Sequence, residues 1–224
     1  MPAKMTTAAE EMLALLLRQA EENVMAHVQR EMDSQTFVGG KRVRVQPLPS
    51  LPEKAATTVH RVKVNLYGAK PPVWRRLEIP SAMTLDVLHE VMQIVFGWYD
   101  RHLHSFETVC GEFGLADVDD RWRPLKDEAS AALGQVATAA GAKAVYTYDF
   151  GDDWRHDIVV EQIVPAEAGV AYPRCLAGRR AVPMEDSGGI SAYNADPEPE
   201  PTAFDSDEVS TALRDVAAVI IPAS

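Results

Sequence analysis

Cysteine is nearly absent from this chain, and that absence narrows its chemistry first. Of 224 residues only Cys110 and Cys175 are thiols, in no C-x-x-C or metal-finger spacing. Neither a disulfide framework nor a cysteine-built metal site is implied, and a reducing cytoplasm is the expected compartment. Long apolar runs are missing as well. The run Leu13 to Leu17 is broken by Arg18 and followed by Glu21 and Glu22. It is too short for a signal peptide or a membrane span, so a soluble protein without a membrane partner is expected. Basic residues are in deficit: 22 Lys and Arg face 33 Asp and Glu, for a formal net charge of -11. Such a surface works against broad attraction to nucleic acid. The familiar catalytic templates are absent too: no G-x-G-x-x-G after a strand, no P-loop, no G-x-S-x-G and no H-E-x-x-H.

Aromatic residues make up only 7% of the chain, yet four of them fall between Tyr146 and Asp157, beside Asp149, Asp152, Asp153, Asp157 and His156. This stretch reads as a β-hairpin. A strand rich in aromatics enters, Gly151 supplies the permissive backbone of the turn, and Trp154 opens a second strand through Ile158 to Val164.

Upstream, Thr7 and Glu10 form a capping box for an amphipathic helix to about Met32, with Leu13, Leu16, Leu17, Ala20, Val24 and Val28 on one face. That face packs either on the protein's own core or on a second copy, as a homodimer. Gly39-Gly40 and the proline-rich 47–52 then read as loop and linker, which divides the chain into 1–56 and a main domain, 57–224. Within that domain, alternation predicts strands over His60–Tyr67 and Val73–Ile79, and Thr84 and Gly97 bracket a helix ending at Phe96. Leu103–Val109 is a further strand. Residues 111–143 are looser, with an alanine-rich helical piece near Ala129–Leu133. The expected fold is an α+β roll, a mixed and mostly antiparallel sheet wrapped around one main helix, plus the N-terminal helix.

Candidate chemistry lies in three places. His102-Leu103-His104 puts two imidazoles on one side of a predicted strand, a usable pair of metal ligands but not a closed site. Asp149, Asp152, Asp153 and His156 offer oxygen and nitrogen ligands, although Asp152 and Asp153 beside Gly151 are also what a turn prefers. The third is the acidic run Glu185-Asp186-Ser187-Gly188-Gly189. Five cations between His60 and Pro80, namely Arg61, Lys63, Lys70, Arg75 and Arg76, fall short of a basic tract.

Several segments, in order, resemble the pRiA4b-type plasmid ORF-3-like family: Lys70-Pro71-Pro72-Val73-Trp74-Arg75-Arg76-Leu77, Leu88-His89-Glu90 with Phe96-Gly97-Trp98, His102 to Phe106, Tyr148 to His156, and Tyr172 to Gly178. With Phe204 to Val209, the resemblance spans about residues 58 to 213. It implies a compact α+β fold in bacterial proteins loosely associated with plasmids and mobile elements, and it brings no established activity. Relatives tend to carry further cysteines in a stretch resembling A-C-P-P-E-D-C-G-G, where this chain has Ala181-Val182-Pro183-Met184-Glu185-Asp186-Ser187-Gly188-Gly189. A zinc site built on three soft ligands is therefore not expected.

The expected function is a non-enzymatic binding or interaction module for an unknown protein or small molecule. No cofactor and no metal are expected, and nucleic acid is disfavoured as a partner. Its ligand-binding residues would be Trp74, Arg76, His102, His104, Asp149, Asp152, Asp153, Trp154 and His156. The alternative is a metal-assisted hydrolase or nucleic-acid-processing accessory built on Asp149, Asp152, Asp153 and His156.

Overall fold

The computed structural model describes Arg18, Glu22, Met25 and residues 34–38, 41–115, 125–195 and 204–220, the last six of these by backbone alone. The helix expected from Thr7 to Met32, and the homodimer reading of its apolar face, lie outside the described residues. Gln35–Val38 (β1) and Lys41–Arg44 (β2) pair as an antiparallel hairpin. The main sheet contains Thr58–Leu66 (β3), Trp74–Pro80 (β4), His104–Thr108 (β5), Gly111–Gly114 (β6), Lys126–Asp127 (β7), Lys143–Tyr148 (β8), Trp154–Pro165 (β9) and Arg174–Arg179 (β10). Their order across the sheet is β10-β4-β3-β9-β8-β5-β6-β7, antiparallel throughout except for β6 with β7. The described helices are Leu85–Phe96 (α1), Leu133–Val136 (α2), Gly189–Ala195 (α3) and Ser206–Ile220 (α4). The mixed α+β class with a large, mostly antiparallel sheet is thus as expected. No helix among the described residues is long and apolar enough to cross a membrane.

Alternation decides the faces. In β3, Val62, Val64 and Leu66 point inward while Arg61, Lys63 and Asn65 point out, and β4 repeats this with Arg75, Leu77 and Ile79 inward. Helix α1 lays Leu88, Val91, Met92, Val95 and Phe96 into the same core as those strands. It stops where Gly97 turns left-handed at φ 65°, a conformation that suits glycine at a helix end.

Two expectations need correction, and one segment gains contacts that the sequence did not suggest. The strand predicted over Leu103–Val109 begins only at His104, so His102 precedes it. Residues 111–143, read as loose, contribute β6, β7 and α2, with a short 3-10 turn at Glu128–Ser130 capped by the Asp127 side chain. The linker is also docked: the Gln46 amide donates to Val109 O at 2.8 Å, and Gln135 Nε2 donates to Pro49 O at 2.7 Å.

The outer edge of β10 is covered by α4. Ser210 Oγ accepts from the Cys175 amide and donates to the Cys175 carbonyl, both at 3.0 Å, which satisfies backbone groups an edge strand would leave open. Leu213 beside it is fully buried. Leu213→Ala should cost about 2 kcal/mol in urea unfolding, the low end for a buried leucine because a helix packed over a sheet edge can settle into the gap.

Candidate functional site

The β8–β9 turn is built by aspartate. Asp149 sits at φ 56° and Asp153 at φ 53°, left-handed backbone that short acidic side chains tolerate. Asp149 Oδ1 accepts from the Gly151 amide at 2.9 Å and from the Asp152 amide at 3.3 Å, while Asp149 O accepts from the Asp153 amide at 2.7 Å. Gly151, expected to supply the permissive backbone, is not among the positive-φ glycines. The side chain of Asp149 does that work instead, by holding two turn amides.

Asp152 ties this turn to a distant loop. Its Oδ2 accepts from the Gly188 amide at 3.0 Å, and Gly189, at φ 71°, lies so close that a Cβ there would collide with the Asp152 carbonyl oxygen. The loop is pinned at further points: Trp98 Nε1 donates to Pro183 O at 3.0 Å, while Glu185 Oε1 accepts from Tyr148 Oη at 2.5 Å and from the Tyr99 amide at 3.1 Å. Burial first, then the Glu185 carboxylate, holds the Tyr148 phenol above its ordinary pKa. Gly189→Ala should pry this loop from the hairpin and cost about 1–2 kcal/mol in denaturant unfolding.

Pinning the loop brings Asp186 to the hairpin. His102 Nε2 lies 3.1 Å from Asp186 Oδ1 and 3.6 Å from Asp149 Oδ2. That nitrogen is shielded from solvent and is aligned for a hydrogen bond with neither oxygen. Around the group stand Tyr99 at 75% exposure, Leu103 at 44%, Phe150 at 53% and Met184 at 79%, four of the eight large apolar side chains exposed among the described residues. Exposed apolar side chains thus flank the polar residues along the chain, as a broken collar.

The remaining predicted residues lie elsewhere. His104 turns inward, where Nε2 meets Glu128 Oε2 at 2.8 Å and the ring stacks on His89 with centroids 3.5 Å apart. The two imidazoles of His-x-His therefore serve different clusters, because one precedes the strand and the other belongs to it. His89 Nδ1 pairs with Tyr146 Oη at 2.8 Å and Nε2 with Asp100 Oδ1 at 3.0 Å; burial, then neighbouring His104, lowers its pKa. Trp154 and His156 are wholly buried, with His156 edge-on to Phe96 and Trp98. The quartet Asp149, Asp152, Asp153 and His156 is consequently not gathered: the aspartates form the turn and the histidine is core.

Trp74 and Arg76 occupy the outer face of β4, two strands away from β9. Arg76 makes a double hydrogen bond to Glu161 at 2.7 and 2.9 Å and lies over Trp74. Arg61 and Arg174 share Glu78. A shallow groove there is lined by Arg61, Arg76, Glu161, Gln162 and Leu176. Sequence reasoning passed over His89, Asp100, Glu128 and Tyr148 as site residues; it noticed the acidic run at 185–189 but had nothing to join it to His102.

The family described as "Plasmid pRiA4b ORF-3-like protein" matches residues 58–198. The chain belongs to that family. The match begins where β3 begins and takes in the turn, the 183–189 loop and α3. A fellow chain, "Uncharacterized protein y4hQ" of Sinorhizobium fredii, is 36% identical over 136 residues, covering 61% of this chain and 70% of that one. The crystal structure of a protein of unknown function, MM3350 from Methanosarcina mazei Go1, is similar with a TM-score of 0.63 and 34% identity, over 70% of this chain and 99% of that one. Neither the plasmid ORF-3-like family description nor these two similar proteins bring a named activity.

Proposed function

We propose that this plasmid ORF-3-like protein is a cytoplasmic, non-enzymatic binding module that takes its ligand at the loop end of the sheet. In this reading the sheet wraps α1, and the segments carrying Tyr99, His102, Asp149 and Asp186 form the recognition surface. The observation that carries it is the exposure of Tyr99, Leu103, Phe150 and Met184, each next to or near a residue of the acidic centre in the chain. Apolar side chains grouped about a polar centre mark interaction sites. Asp149, Asp152, Asp153, Glu185 and Asp186 outnumber Arg101 and Arg155 at this end, so charge complementarity favours a ligand that is cationic at the contact.

Support for a non-enzymatic role comes from where the reactive side chains point. His60 Nδ1 does pair with Ser81 Oγ at 2.8 Å, but both residues are buried and the other ring nitrogen faces Ala137 O at 2.8 Å. A nucleophile without access to substrate performs no chemistry. Pull-downs compared across faces test the proposal: Tyr99→Ser with Met184→Ser should remove bound partners, whereas Trp74→Ala, on the opposite face, should not. Loss only with Trp74→Ala would move the site to the outer groove.

Nucleic acid is disfavoured on structural grounds as well as charge. Arg61, Arg76 and Arg174, which would form a basic patch, are each paired with a carboxylate. Few cations are left to displace counterions from phosphate. Random duplex DNA should not be retained in a gel shift at physiological salt; micromolar, salt-sensitive retention would contradict this.

A further inference from the structure

We propose that His102, Asp149 and Asp186 hold a divalent transition-metal ion of the Mn²⁺ or Zn²⁺ class, and that this ion is the cation the loop end recognises. The inference rests on the loop-end reading of the binding surface and names what sits at its centre. The three residues offer ligand atoms that all lie within 4.8 Å of one another. His102 Nε2 is central, 3.1 Å from one carboxylate oxygen and 3.6 Å from the other. Bonds of about 2.1 Å meeting at 90° to 110° put ligand atoms about 3.0 to 3.4 Å apart, so an ion fits among these atoms with small movements.

Alignment separates an ion site from a hydrogen-bonded pair. A solvent-shielded imidazole nitrogen normally points along a hydrogen bond when a carboxylate is this near. Here it does not, although two carboxylates are in reach. Ligands that converge on a shared point behave this way, because each lone pair aims at the ion and not at its neighbour. The second oxygen of Asp149 is fixed by the Gly151 and Asp152 amides, the kind of outer support that orients a ligating carboxylate.

Ligand type and exposure choose the class of ion. One imidazole with two carboxylates suits Mn²⁺, Fe²⁺ or Zn²⁺ and is a poor match for Ca²⁺, which prefers six or more oxygens. Two carboxylates and a neutral imidazole balance the charge of one divalent ion. Asp186 is 62% exposed on its side chain, so the open coordination positions face solvent and are free for water or a donor atom from a partner.

A second group, His89, Asp100 and His104, also meets the distance criterion. Its two rings are stacked, with planes 6° apart. Lone pairs lying in parallel planes do not converge on one ion; both ring nitrogens of His89 are bonded and His104 Nε2 is committed to Glu128, so only the shielded His104 Nδ1 has no partner there. This group therefore serves as the control.

The test is calorimetric titration of the chelator-stripped full chain with MnCl₂ and with ZnCl₂, alongside CaCl₂, paired with thermal melts. One equivalent of Mn²⁺ or Zn²⁺ should bind, with the melting temperature rising about 5 °C at a hundredfold excess over the dissociation constant. Asp186→Asn and His102→Gln should each weaken binding at least tenfold, while His89→Gln leaves it unchanged. Asp186 is exposed, so its variant should fold even if Asp149→Asn does not. Silent titrations, or binding untouched by Asp186→Asn and His102→Gln, would overturn the metal. If titration is silent while Tyr99→Ser with Met184→Ser still removes partners, only the ion falls. If metal binds and those partners are retained, the binding face falls and the ion stands.

Discussion

Between pH 7 and pH 5 the protein should lose about 2 kcal/mol of stability through His156 alone. This imidazole is completely buried, and that burial pushes its pKa from 6.5 down to about 3, with the nearby Arg75 guanidinium acting in the same direction and hydrogen bonds to backbone carbonyls opposing. The sign follows from which state takes up the proton. The unfolded chain protonates His156 near 6.5 while the folded chain cannot, so the stabilisation is complete above 6.5 and declines until the folded value near 3 is reached. His60 and His89, lowered chiefly by burial, add to the loss. Urea unfolding at pH 7, 6 and 5 measures the slope. His156→Phe keeps a ring against Phe96 and Trp98 and cannot titrate, so its stability should fall less steeply. Equal slopes would show that His156 takes its proton without unfolding the core.

His156 also shows where sequence reading stops. It stands in the same twelve residues as four aspartates, and proximity along the chain suggested a shared site. A strand sends alternate side chains to opposite faces, so Trp154 and His156 go inward while Arg155 and Asp157 go out. The β3–β4 hairpin, the span of α1 and the β8–β9 hairpin were legible because each is encoded locally by alternation, helical period or a glycine stop. The β1–β2 hairpin was not, since Gly39-Gly40 reads equally well as loop. Nor was α4, whose acidic first turn blends into the acidic stretch before it.

The candidate site was half legible for the same reason. His102 and Asp149 each stood in a conspicuous motif, but Asp186 reaches them only through long-range contacts: Asp152 to Gly188, Tyr148 to Glu185 and Trp98 to Pro183. None of these follows from spacing. The family motifs did place all three segments in one domain, so resemblance supplied the parts and the fold supplied their junction.

On the opposite face, Glu78→Ala should cost about 3 kcal/mol at pH 7, the largest loss expected from any single outer-face change. The Glu78 side chain is 1% exposed and takes Arg61 on one oxygen at 2.7 Å and Arg174 on the other at 2.6 Å. Removing it leaves Arg61 with only the Gln162 amide oxygen and Arg174 with only the longer pair to exposed Glu167, on a sheet face where about a third of each cation can reach water. That partial access keeps the cost at the lower end of the range for breaking a buried pair. Burial tends to raise the Glu78 carboxyl, but the hydrogen bonds from Arg61 and Arg174 outweigh it and leave the pKa below the ordinary 4.5. The charge interaction therefore stabilises fully above 4.5 and is lost as pH falls through the lowered folded value, a window below most of the histidine effect. Glu78→Gln keeps the shape and removes the charge, so its deficit against the wild type should shrink steadily below pH 4.5 in urea unfolding. A deficit that stays constant down to pH 3 would mean that packing, and not the shared carboxylate, holds β3, β4 and β10 together on this face.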